Sequence, residues 1–174
     1  MDTLTAIYTR RSVREYAPGK VEDAEIDKLL RAGMAAPSAG NSRPWHFLVI
    51  DDPALLAKIP AVHPYAQMAA KAALAIMVCA EPARERFSGY WPQDCAAATQ
   101  NILLAANALG LGAVWCGIHP ANDDASLREL FSIPENIEAL SLIVVGRRGA
   151  DAKGLKDPGR YDADRVHRNQ FGSQ

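Results

Sequence analysis

This sequence predicts a mixed α/β or α+β domain, and three observations lead there. Apolar runs with the look of strands, Trp45 to Ile50, Ala73 to Ala80 and Leu140 to Val145, are interspersed with segments of helical spacing. The 174 residues suffice for one domain, spanning 1–174, with a sizeable core. Hydrophobic residues at 49% and charged residues at 22% are the proportions of an ordinary globular protein.

In chain order, Thr3 to Arg10 reads as a short helix capped by Asp2, with Leu4, Ile7 and Tyr8 at helical spacing. A second helix begins at Glu22 or Asp23, shows Ile26, Leu29 and Leu30 on one face, and stops near Ala36 because Pro37 disfavours helical geometry before it. Pro37 to Pro44 is a loop, and Trp45 to Ile50 a strand that reads as largely buried. Pro53 to Ile59 is a short helix, Ile59 to Gln67 irregular, and Ala73 to Ala80 a second buried strand. Glu81 to Pro92 is polar, carries two prolines and reads as a surface loop or lid. Asp94 to Leu109 is dense in alanine and leucine, so neighbours can approach it closely as a central helix requires; Gly110 and Gly112 stop it. Val114 to Ile118 is a strand, Ser126 to Phe131 a helix, and Leu140 to Val145 the third apolar strand. From Gly146 onward the chain is polar with no evident core face, and a tail of that length is expected to lie on something.

Composition excludes several functions. A formal net charge of -1 argues against nucleic-acid binding, and no run is apolar enough to cross a membrane. The start of the chain lacks the apolar core of a signal peptide. Cys79, Cys95 and Cys116 read as reduced thiols, which points to the cytoplasm. His46, His63, His119 and His167 are too scattered for a metal site. Cys95 and Cys116 sit in apolar surroundings that mean core rather than nucleophile, and His46 reads as a structural histidine within a strand.

Against that neutral background Arg10, Arg11, Ser12 and Arg14 stand out. Guanidinium forks and a hydroxyl match phosphate oxygens, although a solvated basic turn would look the same. Neither GxGxxG nor GxxxxGK[ST] is present, so phosphate would be held by side chains. The loop Pro37-Ser38-Ala39-Gly40-Asn41-Ser42-Arg43-Pro44-Trp45 combines small residues with Ser38 and Asn41, groups that suit the polar edge of a heteroaromatic ring; alone it is equally a plain connection. A phosphate site without an evident protein acid, base or nucleophile fits chemistry carried by a cofactor.

Three segments in this order, Arg-Arg-Ser-Val-Arg, Pro-Ser-Ala-Gly-Asn-Ser-Arg-Pro-Trp-His-Phe and Asp-Cys-Ala-Ala-Ala-Thr-Gln-Asn-Ile-Leu-Leu-Ala-Ala running into Leu-Gly-Leu-Gly-Ala-Val-Trp, resemble the nitroreductase family over nearly the whole chain. The resemblance implies a mostly antiparallel sheet wrapped by helices (α+β), an intertwined homodimer, one FMN per active site at the interface, and NADH or NADPH as reductant in a ping-pong reaction on a small planar acceptor. By position it implies that Arg10, Ser12 and Arg14 contact the FMN phosphate and ribityl chain, with Arg11 in support. Pro37, Ser38, Ala39 and Asn41 would line the isoalloxazine ring from the partner subunit. Trp115, Cys116 and Gly117 match the segment whose backbone faces the flavin, with the Gly117 amide a donor to N5. Arg160 matches a basic residue reaching the phosphate, and Gln67 one at the pyrimidine edge.

Phe87, Tyr90 and Trp91 would stack on an acceptor, or else pin their loop to the core or the partner. Three other readings stay open: a flavin module that stores or senses FMN, a specialised branch such as a reductive dehalogenase or enone reductase, and a domain binding another phosphorylated metabolite.

Overall fold

The computed structural model describes residues 1–118, 124–149 and 156–172. Its core is a five-stranded antiparallel sheet. Strand β5 (Glu138–Arg148) pairs along one edge with β4 (Leu111–Gly117). Its other edge takes β3 (Leu74–Ala80) and then, at its far end, the two-residue β1 (Tyr16–Ala17). β2 (Trp45–Ile50) lies outside β3.

Alternation along the strands divides the core into two faces. Leu74, Ile76 and Val78 of β3 and Ile143 and Val145 of β5 pack against α2 (Asp23–Met34) and α5 (Trp91–Ala108), through Leu29, Ala98, Ile102 and Ala106. Ala75, Met77, Leu142 and Val144 face the other way, against α3 (Pro53–Leu56), α4 (Ile59–Val62) and α6 (Asp124–Phe131). Residues 74–80 of β3 are all buried. In β2 only Trp45 and Ile50 are buried while His46 is exposed, because an edge strand is covered on fewer sides than the apolar sequence implied.

Helix boundaries follow their caps. Asp2 accepts from the Thr5 amide to start α1 (Thr3–Thr9), and α2 opens with a reciprocal capping box between Glu22 and Glu25. The helix expected over 53–59 ends at Leu56, and a second four-residue helix covers Ile59–Val62, where the sequence reads as irregular. α5 starts three residues before the expected Asp94. Pro92 is tolerated in its first turn, and the Glu85 carboxylate accepts from the amides of Gly89 (3.1 Å) and Trp91 (2.6 Å).

β4 begins at Leu111 and β5 runs on to Arg148, both beyond the apolar runs. The two arginines that end β5 belong to the sheet because each has partners. Arg147 grips Glu25 with two bonds, 2.8 and 2.6 Å, and donates to the Lys20 carbonyl. Arg148 donates to Leu111 O and to the backbone and side chain of Asn107, whose own amide reaches back to Ala6 O and Thr9. Asn107, a polar residue on the buried face of α5, thereby ties α1, α5 and β5 together.

One packing feature positions the arginine segment. Gly112 and Gly146 sit opposite each other in the β4–β5 register. A methyl group on Gly112 would stand 2.7 Å from Val13, and one on Gly146 would stand 2.8 Å from the Tyr16 ring. Only glycine leaves room for residues 13–16 to lie across the sheet. The Tyr16 hydroxyl then reaches Val13 O and Val144 O, each at 3.0 Å.

The guanidinium of Arg147 holds the Glu25 carboxyl below its ordinary value of 4.5. A depressed carboxylate contributes stability above its unfolded value and loses it as pH falls through the folded one. Glu25→Gln is therefore expected to be less stable than the wild type at neutral pH and to converge with it at acid pH, below the ordinary carboxyl value. Urea unfolding at the two pH values checks this, and a constant gap would refute it.

Candidate functional site

The parity of the β4–β5 ladder decides what β4 offers on its other edge. Ile118 N donates to Leu140 O, so residues 112, 114 and 116 bond to β5 while 111, 113, 115 and 117 turn their N–H and C=O outward. Three of these outward carbonyls have partners. Leu111 O receives the Arg148 guanidinium at 3.0 Å, Ala113 O the Val13 amide at 3.0 Å, and Gly117 O the His63 ring at 3.0 Å. Among the described residues nothing bonds the Trp115 N–H and C=O or the Gly117 N–H. Both residues are solvent-exposed, and a methyl group built on Gly117 would meet no atom within 4 Å. Among the described residues, the end of β4 is thus an open, unpaired backbone edge.

The arginines stand beside this edge. Ser12 forms a parallel bridge to Ala113, which sets residues 10–14 alongside β4 where α1 ends. Arg10 and Arg11 are half-buried, and Ser12 and Arg14 are exposed. Burial, reinforced by the charges of Arg11 and Arg160, pushes the Arg10 guanidinium below its ordinary value. The charge of Arg14 is felt at Cys116 and Tyr16. Among the described residues no carboxylate pairs with Arg10, Arg14 or Arg160. Arg11 is used differently: its guanidinium donates to Tyr8 O and Arg10 O at the end of α1 and to Lys156 O in the tail. Among the described residues these cations have no internal counter-charge, and they lie beside open amides, a combination whose chemistry suits an anion.

Pro37–Asn41 lies elsewhere. Gly40 and Asn41 both adopt positive φ (59° and 54°), and the loop is pinned from inside by Asp94, which is 5% exposed and accepts from Ala39 N at 2.9 Å. Ser38 Oγ accepts from Arg43 N, and Ser42 Oγ accepts from Arg86 N. A methyl group on Gly40 would touch Arg86 and Phe87, so these two residues pack on this loop. Phe87 and Tyr90 are exposed at 54% and 47%, whereas Trp91 packs partly against the core and anchors α5. The loop leads into β2, on the sheet edge opposite β4, three strand spacings or about 14 Å away. Among the described residues no hydrogen bond or ion pair joins it to the arginines or to residues 115–117.

The remaining residues sort clearly. Gln67 spends its amide hydrogens on Pro60 O and Pro64 O, both 3.2 Å, bracing the turn that carries His63. The thiols of Cys95 and Cys116 are pushed up by burial, Cys95 to about 12, so both stay protonated and neither is a nucleophile. Arg160 is exposed on a tail whose Tyr161 and Phe171 are 82% and 93% exposed. His119 lies outside the described residues, as do 150–155 of the tail. The sequence reading passed over Asp94 and His63 as site residues. Both act on backbone atoms more than 50 residues away, and no local pattern marks such contacts.

Residues 7–147 match the family model described as "Nitroreductase family". A protein of Methanothermobacter thermautotrophicus, provisionally named NADH dehydrogenase/NAD(P)H nitroreductase, is 49% identical over 168 residues, covering 96% of this chain and 86% of its own. A crystal structure of a provisionally named NADH oxidase from Clostridium acetobutylicum superposes with a TM-score of 0.90 at 41% identity, covering 95% of this chain and 99% of its own. A provisionally named nitroreductase from Desulfovibrio desulfuricans, solved in complex with FMN, superposes at 0.84 with 30% identity and 97% coverage of each chain.

Removing the buried carboxylate frees the loop. Asp94→Ala is expected to speed hydrogen exchange of the Ala39 amide at least tenfold, given about 1.5–3 kcal/mol for a charge-assisted bond. Exchange by NMR measures it, and an unchanged Ala39 would show that other contacts hold the loop.

Proposed function

We propose that this chain, which belongs to the nitroreductase family, is an FMN-dependent oxidoreductase that passes hydride from NADH or NADPH to a small planar acceptor such as a nitroaromatic or a quinone. The observation that carries the reading is the open edge of β4 flanked by guanidiniums that, among the described residues, pair with no carboxylate. The residues fit the cofactor: Arg10, Ser12, Arg14 and Arg160 suit its phosphate and ribityl chain, and Arg11 keeps their segment in place through three carbonyls. The outward N–H groups of Trp115 and Gly117 suit the edge of the ring, with the Gly117 amide assigned to N5. Gln67 belongs at the pyrimidine end, where its amide hydrogens already brace the turn.

Bound FMN supplies the two-electron chemistry, which is why the chain needs no nucleophile of its own. The protein orients the reactants, keeps its thiols protonated and lends positive charge to a ring that gains electrons. Pro37, Ser38, Ala39 and Asn41 sit at the far edge of the sheet, so we assign them to the site of a second copy and the working unit to a homodimer. Tyr161, Val166 and Phe171, apolar and uncovered in one chain, suit the same arrangement. The exposure of Phe87 and Tyr90, beside the loop the second copy contributes, suits contact with the acceptor.

The visible spectrum of the purified protein tests the reading. A yellow protein that bleaches anaerobically with NADH or NADPH and recovers colour with a quinone is expected. A protein that stays colourless after FMN is supplied would refute it, and one that is yellow without turnover would instead be a storage or sensing module. Arg14→Ala is expected to weaken FMN binding about tenfold or more, read by fluorescence titration. Phe87→Ala is expected to alter the ratio of kcat/KM between a nitroaromatic and a quinone without loss of FMN; an unchanged ratio would assign the ring to loop packing alone.

A further inference from the structure

The turn after α4 is fastened to the end of β4 at two points. His63, 0% exposed, places Nε2 3.0 Å from the Gly117 carbonyl, and Cys116 Sγ lies 3.7 Å from the Tyr65 carbonyl. A carbonyl only accepts, so Nε2 carries the hydrogen, and in that neutral tautomer Nδ1 is a bare lone pair. Nδ1 is buried and, among the described residues, has no hydrogen-bond partner. Burying an imidazole with one nitrogen unsatisfied costs stability, and a small apolar side chain would avoid that cost.

What the ring secures is the last residue of the open edge. Gly117 has no side chain to restrict its rotation. The peptide before it is held by Cys116 in the β5 ladder, and the peptide after it by Ile118 N on Leu140 O and by His63 on Gly117 O. The N–H of Gly117 lies in the peptide that Cys116 holds in the ladder and its C=O in the peptide that follows, so the two anchors on either side of its Cα together keep this glycine in place.

The geometry points to His63 as a positioning residue for the proposed hydride transfer: it anchors the end of β4 that carries the Gly117 amide without touching the reactants. This rests on the flavin reading above. Misplacing a catalytic donor by about 1 Å costs on the order of a hundredfold in rate.

The test compares His63→Leu, which cannot donate, with His63→Gln, whose amide can. With FMN bound, stopped-flow reduction by NADH or NADPH is expected to slow about 10- to 100-fold in His63→Leu and to recover largely in His63→Gln. FMN affinity should change by no more than a few-fold. A second readout needs no turnover: FMN titrated into the 15N-labelled wild type should shift the Gly117 amide, and the shift should shrink in His63→Leu and return in His63→Gln. Should His63→Leu fail to fold, His63→Asn replaces it, its amide too short to reach Gly117, with the same slowing expected. Non-donating variants that bind FMN and match the wild type in rate and Gly117 shift would overturn the inference alone. A wild type that binds no FMN would overturn the flavin reading, and the inference with it.

Discussion

The structure turns on the parity of one antiparallel ladder. Because β4 spends its even-numbered residues on β5, its odd-numbered residues must find partners elsewhere or face solvent. Distant parts of the chain meet that demand: the end of β5 at Leu111, the arginine segment at Ala113, and the α4 turn at Gly117. An edge strand is ordinarily a liability because its free groups invite another strand. Among the described residues the edge is capped at both ends and open at Trp115 and at the Gly117 amide. The same constraint that forces the edge to exist therefore also sets the size of the site.

Much of this was legible in the residues, and the failures have physical causes. β2 was read to the residue because Pro44 and Asp51 bracket an apolar run whose strand character is local. The arginine cluster was legible for the same reason, since charge density is local. Ends that depend on distant partners were not. β5 gains Arg147 and Arg148 only through Glu25 and Asn107, and the two-residue β1 exists only because Gly146 leaves a place for Tyr16. α5 starts early because the carboxylate of Glu85 acts as its cap, and a glutamate in a polar loop gives no sign of that.

The loop 37–41 illustrates a limit of another kind. Its composition and its place in the family's motif order marked it as part of a binding site, yet within one chain it faces the opposite sheet edge from the arginines. Asp94 holds it rigid there, an arrangement that makes sense for a surface offered to another molecule. Motif order can group two segments in one expected site while a single chain keeps them on opposite sheet edges.

The crowding of Arg10, Arg11 and Arg160 bears on the folding equilibrium itself. Arg10 and Arg11 are neighbours in any state, but the repulsion between Arg10 and Arg160 exists only in the native chain, because residues 10 and 160 are far apart once unfolded. Any multivalent anion that settles among them acts by linkage: it binds the native state, relieves strain peculiar to that state and leaves the unfolded ensemble untouched. At a hundred times its dissociation constant such an anion adds about 2.7 kcal/mol to stability, a large share of what a domain of this size possesses. The conformational stability of this chain is therefore partly a property of the electrolyte around it.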